Sequence, residues 1–164
     1  MKKIDVGQTI TILANLGVLA GILLLVYELN QNRQMMEAQT RHEVAQGIVD
    51  QLSELALNPD LSDLEYRGRC ETLESREDAR RFFIFINSRM RYWEDVHYQY
   101  RQGLYDESEF LPFREAWRAF IQPRAVRENW NRIKAGFSSE FVREIDALIF
   151  NTEDSQFEIP AECD

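Results

Sequence analysis

Val6-Gly-Gln-Thr-Ile-Thr-Ile-Leu-Ala-Asn-Leu-Gly-Val-Leu-Ala-Gly-Ile-Leu-Leu-Leu-Val-Tyr27 carries no charge, and its inner part, Ile10 to Val26, holds only Thr11 and Asn15 as polar residues. A helix of about 20 predominantly apolar residues rises roughly 30 Å, the thickness of the hydrocarbon layer of a bilayer. Lys2, Lys3 and Asp5 bound the run on one side; Glu28, Asn30, Gln31, Asn32 and Arg33 bound it on the other. Residues 1–28 are therefore expected to form a transmembrane anchor. A cleaved signal peptide calls for small residues at a cleavage site, whereas this run ends Leu23-Leu24-Leu25-Val26-Tyr27-Glu28. A core helix of a soluble protein is usually shorter or shows a polar stripe.

Beyond the anchor, residues 29–150 have the length of one domain, followed by an acidic tail, 151–164, expected to fray. Ten Phe, six Tyr and three Trp supply large apolar bodies for a core. The net charge of −9 argues against nucleic acid as a partner, because phosphate binding needs a basic surface. The cations are sixteen Arg and three Lys, and arginine favours bidentate pairs with carboxylates and stacking on aromatic rings. Cys70 and Cys163 stand alone, without a paired-cysteine motif. Two free thiols are the default reading, with one disulfide if the domain lies outside the cytoplasm. By the positive-inside rule, Lys2 and Lys3 balance Arg33 and Arg41 in number, although the lysines lie closer to the apolar run.

The pattern predicts an all-α fold in which the anchor continues into a long helix and packs in a small multi-helix bundle. Met36, Val44, Ile48, Leu52, Leu55 and Ala56 keep helical spacing up to Asn58, where Pro59 ends the helix. A short helix is expected over Leu61–Tyr66, then a connection at Gly68-Arg69-Cys70. Ser75-Arg-Glu-Asp78 matches a capping box opening a helix to Gln102, with Gly103 as its stop. Its inner stripe is expected to be Phe82, Phe85, Ile86, Arg89, Met90, Trp93, Val96, His97 and Tyr100. Asp106 opens the next helix, to about Ile121; Pro123 opens another, ended by Gly136; Ser138 or Ser139 caps the last.

Three patterns bear on function. Gly17 and Gly21 form a Gly-x-x-x-Gly pair with Asn15 just above it, the kind of face through which membrane helices associate. In a ring of such helices Asn15 and Thr11 would line a pore. Glu94-Asp-Val-His97 has the spacing of half a di-iron motif, but His42, the other histidine, has Gln39 three residues before it, so no metal site is expected. Arg91 and His97 fit the loose Arg-x(4–6)-His spacing of HEPN-type ribonucleases, although six residues place the two side chains apart around a helix. The segment Tyr92–Tyr105 is dense in aromatics, and Arg89, Arg91, Trp93, Glu94, His97, Tyr98 and Tyr100 are the candidate partner or ligand surface. No phosphate loop, serine elbow, zinc motif or cofactor signature is read from the sequence.

Val26-Tyr27-Glu28-Leu29-Asn30-Gln31-Asn32, Asn58-Pro59-Asp60-Leu61, Tyr92-Trp93-Glu94-Asp95-Val96-His97-Tyr98-Gln99-Tyr100 with Gly103-Leu104-Tyr105, and Trp130 before Phe137-Ser138 span most of the chain. In these segments the chain resembles a widespread, uncharacterised family of bacterial single-pass membrane-anchored proteins with a C-terminal all-helical domain. The resemblance implies a single-pass membrane protein with its helical domain on the cytoplasmic side, and the chain as a whole reads as an inner-membrane protein; Lys2 and Lys3 depart from the family's acidic N-terminus. It implies no catalytic residue. Together these readings point to a membrane-tethered interaction or scaffolding module, non-enzymatic, without cofactors. Its expected partners are the lipid bilayer, further copies of itself and an unidentified protein. The alternatives are an oligomeric pore and, third, a HEPN-like nuclease.

Overall fold

A computed structural model describes residues 6–70 and 73–153. Among these the chain is all-α: α1 (Val6–Leu57), α2 (Pro59–Cys70), α3 (Arg76–Arg101), α4 (Glu107–Ile121), α5 (Arg124–Ile133), a 3-10 turn (Lys134–Gly136) and α6 (Ser139–Glu153). The chain divides into two compact units, Met1–Gln39 and Thr40–Asp164.

The first unit is the described part of α1 up to Gln39. Its large apolar side chains from Ile10 to Leu29 are between 49% and 71% exposed. The helix is long and apolar enough to cross a membrane. Polarity begins at its far end with bonds along the helix itself, as Gln31 donates to the Tyr27 hydroxyl (2.8 Å) and Arg33 pairs with Glu37 (2.9 Å).

The second unit is built on α3, which packs against α2, α5 and α6, while α4 packs on α5 and α6. Local signals set most of its boundaries. Asn58, the one residue between α1 and α2, accepts from the Leu61 N–H through its side chain and caps α2, whose first residue is Pro59. The Ser75 hydroxyl accepts from the Asp78 N–H at 3.3 Å and starts α3. Gly103 ends it with φ 70°, the left-handed conformation that glycine adopts without penalty. Asp106 caps α4 through the Ser108 N–H at 2.8 Å. Pro123 sits one position earlier than expected, as the cap residue of α5 rather than its first helical residue.

One expected connection is absent. Gly68-Arg69-Cys70 is not a link but the last turn of α2. Arg69 pairs with Glu65 one turn back (3.0 Å), which favours continued helix. Gly68 is there for packing: a Cβ on it would lie 2.3 Å from the Phe82 ring, so the bare backbone lets α2 approach α3. The last helix also runs further than expected, through Glu153, while the rest of the acidic tail and Cys163 lie outside the described residues.

The core is aromatic. Trp93 stacks on Trp117 with centroids 5.1 Å apart; Phe110, Phe113 and Phe141 meet the Trp117 ring edge-on. Such pairs contribute about 0.5–1.5 kcal/mol each beyond the area they bury. Leu64, Phe82, Ile86, Met90, Val96, Ile121, Val126, Trp130, Ile145 and Leu148 belong to it as well. The C-terminal part of α1 joins this core through Val44 and Ile48.

Candidate functional site

Two surfaces carry the candidate residues, and they are of different kinds. On α1, Asn15, Gly17 and Gly21 are exposed. A Cβ added to either glycine would meet nothing within 4 Å. Among the described residues, neither glycine is therefore explained by packing, in contrast to Gly68. Thr11 turns its hydroxyl back to the Gly7 carbonyl (3.0 Å), so the hydroxyl is satisfied within its own helix.

On α3, the seven candidate residues divide among three environments. Trp93 and His97 belong to the core, and Tyr100 lies flat on Phe110 with centroids 4.0 Å apart. Burial holds the His97 imidazole below its usual pKa, opposed by Glu144, Glu140 and Glu94 and reinforced by Arg101. Its ring tilts against Phe110 and Phe141.

Arg91 and Glu94 form a clasp on the turn before α6. One Arg91 amine donates to Glu94 (2.8 Å), the other to the Gly136 carbonyl (2.9 Å), and the guanidinium lies 3.8 Å above the Phe137 ring. The second Glu94 oxygen accepts from the Ser138 N–H at 2.7 Å. Burial pushes the Glu94 carboxyl up, but the Ser138 N–H and Arg91 outweigh it and leave its pKa below the ordinary value. The chain thus pairs Arg91 with Glu94 rather than with His97, which faces the core.

Arg89 is half-buried, bonded to Gln51 and set over the rings of Phe85 and Phe120 at 5.1 and 5.8 Å. Burial lowers its pKa. Of the seven residues, Tyr98 is the one that combines a large ring with free display, at 53% exposure.

Two features were beyond sequence reading. Tyr92 donates its hydroxyl to the Val44 carbonyl, and burial pushes its pKa up to about 12, so it stays a neutral donor. A groove of about 670 Å³ opens where the end of α2 meets α3 and α5, and Cys70 lines it. Cys70 is disulfide-bonded rather than free. The sequence contains each groove residue, but nothing local shows that α5 comes to lie beside the end of α2.

These features define a class: an all-helical domain preceded by an exposed apolar helix long enough to span a bilayer. Compared with known protein families, curated proteins and solved structures, the chain matches none.

Proposed function

We propose that this protein is a membrane-tethered helical scaffolding module that self-associates through its N-terminal helix in a bacterial inner membrane. The observation that carries this reading is the apolar surface of α1, whose side chains from Ile10 to Leu29 find no cover among the described residues. An apolar surface of that length is stable in water only if something covers it, and a bilayer covers it along its whole circumference. Within that setting the open glycines Gly17 and Gly21 allow a second helix to approach closely, and Asn15 seeks a hydrogen-bond partner across such an interface. The helical domain is then the part presented to a partner, with Tyr98 as its displayed aromatic.

The experiment is the mass of the full-length protein in mild detergent, with detergent subtracted, beside Gly17→Leu/Gly21→Leu. A small oligomer that dissociates in the double variant supports the scaffold. A monomer in both removes self-association. A closed ring of five or more chains would favour the pore reading over the scaffold.

A further inference from the structure

In the second unit α1 has two different faces. Thr40 and Val44 are buried against the domain, and Ile48 packs on its core. His42, Ala45, Val49, Leu52 and Ala56 are all exposed, Val49 by 53% and Leu52 by 59%. They are spaced three, four, three and four residues apart, the a and d positions of a heptad repeat. Arg41, Glu43, Asp50 and Glu54, the Arg, Asp and Glu residues between positions 40 and 57, all fall at other positions. A lone exposed Leu needs no explanation; an exposed stripe that keeps this period and excludes these charges does.

We propose that this face is a seam on which a second copy of the chain packs, helix against parallel helix. Counted back along the sequence, the same alternation reaches Ala38, Met35, Leu24, Gly21, Gly17 and Ala14, with Gln31 and Glu28 as its polar positions where the apolar run ends. The glycine pair and the repeat beyond the membrane therefore share one register, which a second copy requires and an unrelated partner does not. Two chains anchored in one bilayer leave it on the same side, so their helices run parallel and equivalent residues meet, a on a and d on d. His42 is the polar a residue of the exposed stretch, and a polar group at such a position fixes register at some cost in stability.

The edges of the seam fit the same occupant. Gln46 and Ser53 stand beside it uncharged. Arg41, at an edge position whose counterpart across a parallel pair is position 46, already holds Glu109 of its own chain (2.8 Å). Identical faces thus meet without like-charge repulsion. The domain already holds this part of α1 on its other side, so association does not carry the cost of forming the helix. The seam extends the self-association proposed above and rests on it for bringing two copies together.

The test is cysteine cross-linking of the full-length protein in its membranes, with the parent chain as control for its native cysteines. Ala45→Cys, Val49→Cys and Leu52→Cys should each give a disulfide-linked dimer under a mild oxidant. The yield should be about 10-fold above that of Asp50→Cys or Glu54→Cys, because only a and d residues meet their equivalents across a parallel pair. Val49→Glu/Leu52→Glu, at exposed positions, should keep the domain's tryptophan fluorescence and weaken the detergent dimer by about 10-fold or more. A dimer that persists while cross-links show no such period, or one unmoved by the paired glutamates, would overturn the seam and leave association through Gly17 and Gly21 standing. A dimer lost in Val49→Glu/Leu52→Glu but unmoved by Gly17→Leu/Gly21→Leu supports the seam and overturns the glycine face. Cross-links from 45, 49 and 52 to a protein other than this chain would overturn the seam in favour of that partner. A monomer in detergent that forms no cross-links overturns both.

Discussion

The ring of Tyr92 occupies the volume that a side chain at position 47 would need: a Cβ on Gly47 would lie 2.5 Å from its Cε2. The same tyrosine donates to the Val44 carbonyl, one turn earlier on α1. Ring and hydroxyl together seat the C-terminal part of α1 on α3. Gly47→Ala should therefore cost about 1–3 kcal/mol by overpacking, read by urea unfolding with tryptophan fluorescence. In a Tyr92→Ala background the same change should cost much less. Equal costs in both backgrounds would show that the ring is not what position 47 meets.

Asp146 holds the buried Trp130 indole N–H at 2.8 Å and the Lys134 amine at 3.0 Å. Asp146→Ala leaves that N–H without an acceptor in the core, a loss of about 1–3 kcal/mol. Asp146→Asn keeps an amide oxygen for the indole and gives up only the partly exposed ion pair, so its cost should be the smaller of the two. If the two variants unfold at the same urea concentration, the ion pair rather than the indole bond dominates.

Acid should weaken the domain in two stages. His97 has its pKa depressed in the folded state by burial. The unfolded chain therefore takes up a proton first as pH drops below the ordinary value of 6.5, and stability present above that value declines toward the lower folded pKa. Glu94, also depressed, contributes above its ordinary 4.5 and loses that contribution as pH falls further. His97→Phe should flatten the first stage and leave the second; Glu94→Gln should do the reverse. Melting temperatures measured from pH 8 to pH 3 would show a single unaffected curve if neither group is linked to folding.

Tyr98→Ala should change stability by less than about 0.5 kcal/mol, as exposed substitutions usually do, whereas Trp93→Ala should cost about 3–5 kcal/mol through its place in the core. The contrast gives a clean probe of the proposed partner surface. Loss of partner capture in Tyr98→Ala, with an unchanged melting temperature, would locate binding on that face. A melting temperature lowered as far as in Trp93→Ala would remove Tyr98 from consideration as a purely displayed residue.

Elements defined by their own neighbours could be read from the sequence. Pro59, the Ser75–Asp78 cap, Gly103 with its positive φ and Asp106 each act within one turn, and the helices begin and end at or beside them. Gly68 misled because glycine has two uses. It ends helices when the chain must turn left-handed, and it thins them when another element must come close; the second depends on Phe82, fourteen residues away. The inner stripe of α3 was legible, Arg89 included, because its spacing is helical and its partners are aromatic. The same density of rings that marked Tyr92–Tyr105 as a candidate surface is what buries Trp93, His97 and most of Tyr100. The clasp of Arg91 and Glu94 on Gly136 and Ser138 joins residues more than forty positions apart, and no local pattern announces it.

Trp93, Trp117 and Trp130 all lie in the helical domain, and none lies in the apolar run. Two of the three are nearly parallel, with an interplanar angle of 16°. Indoles held that closely couple their electronic transitions, so the pair makes an optical signature that exists only while α3 and α4 remain packed. In the purified protein the domain can thus be watched folding, loosening or engaging a partner with no label attached and no contribution from the apolar run of α1.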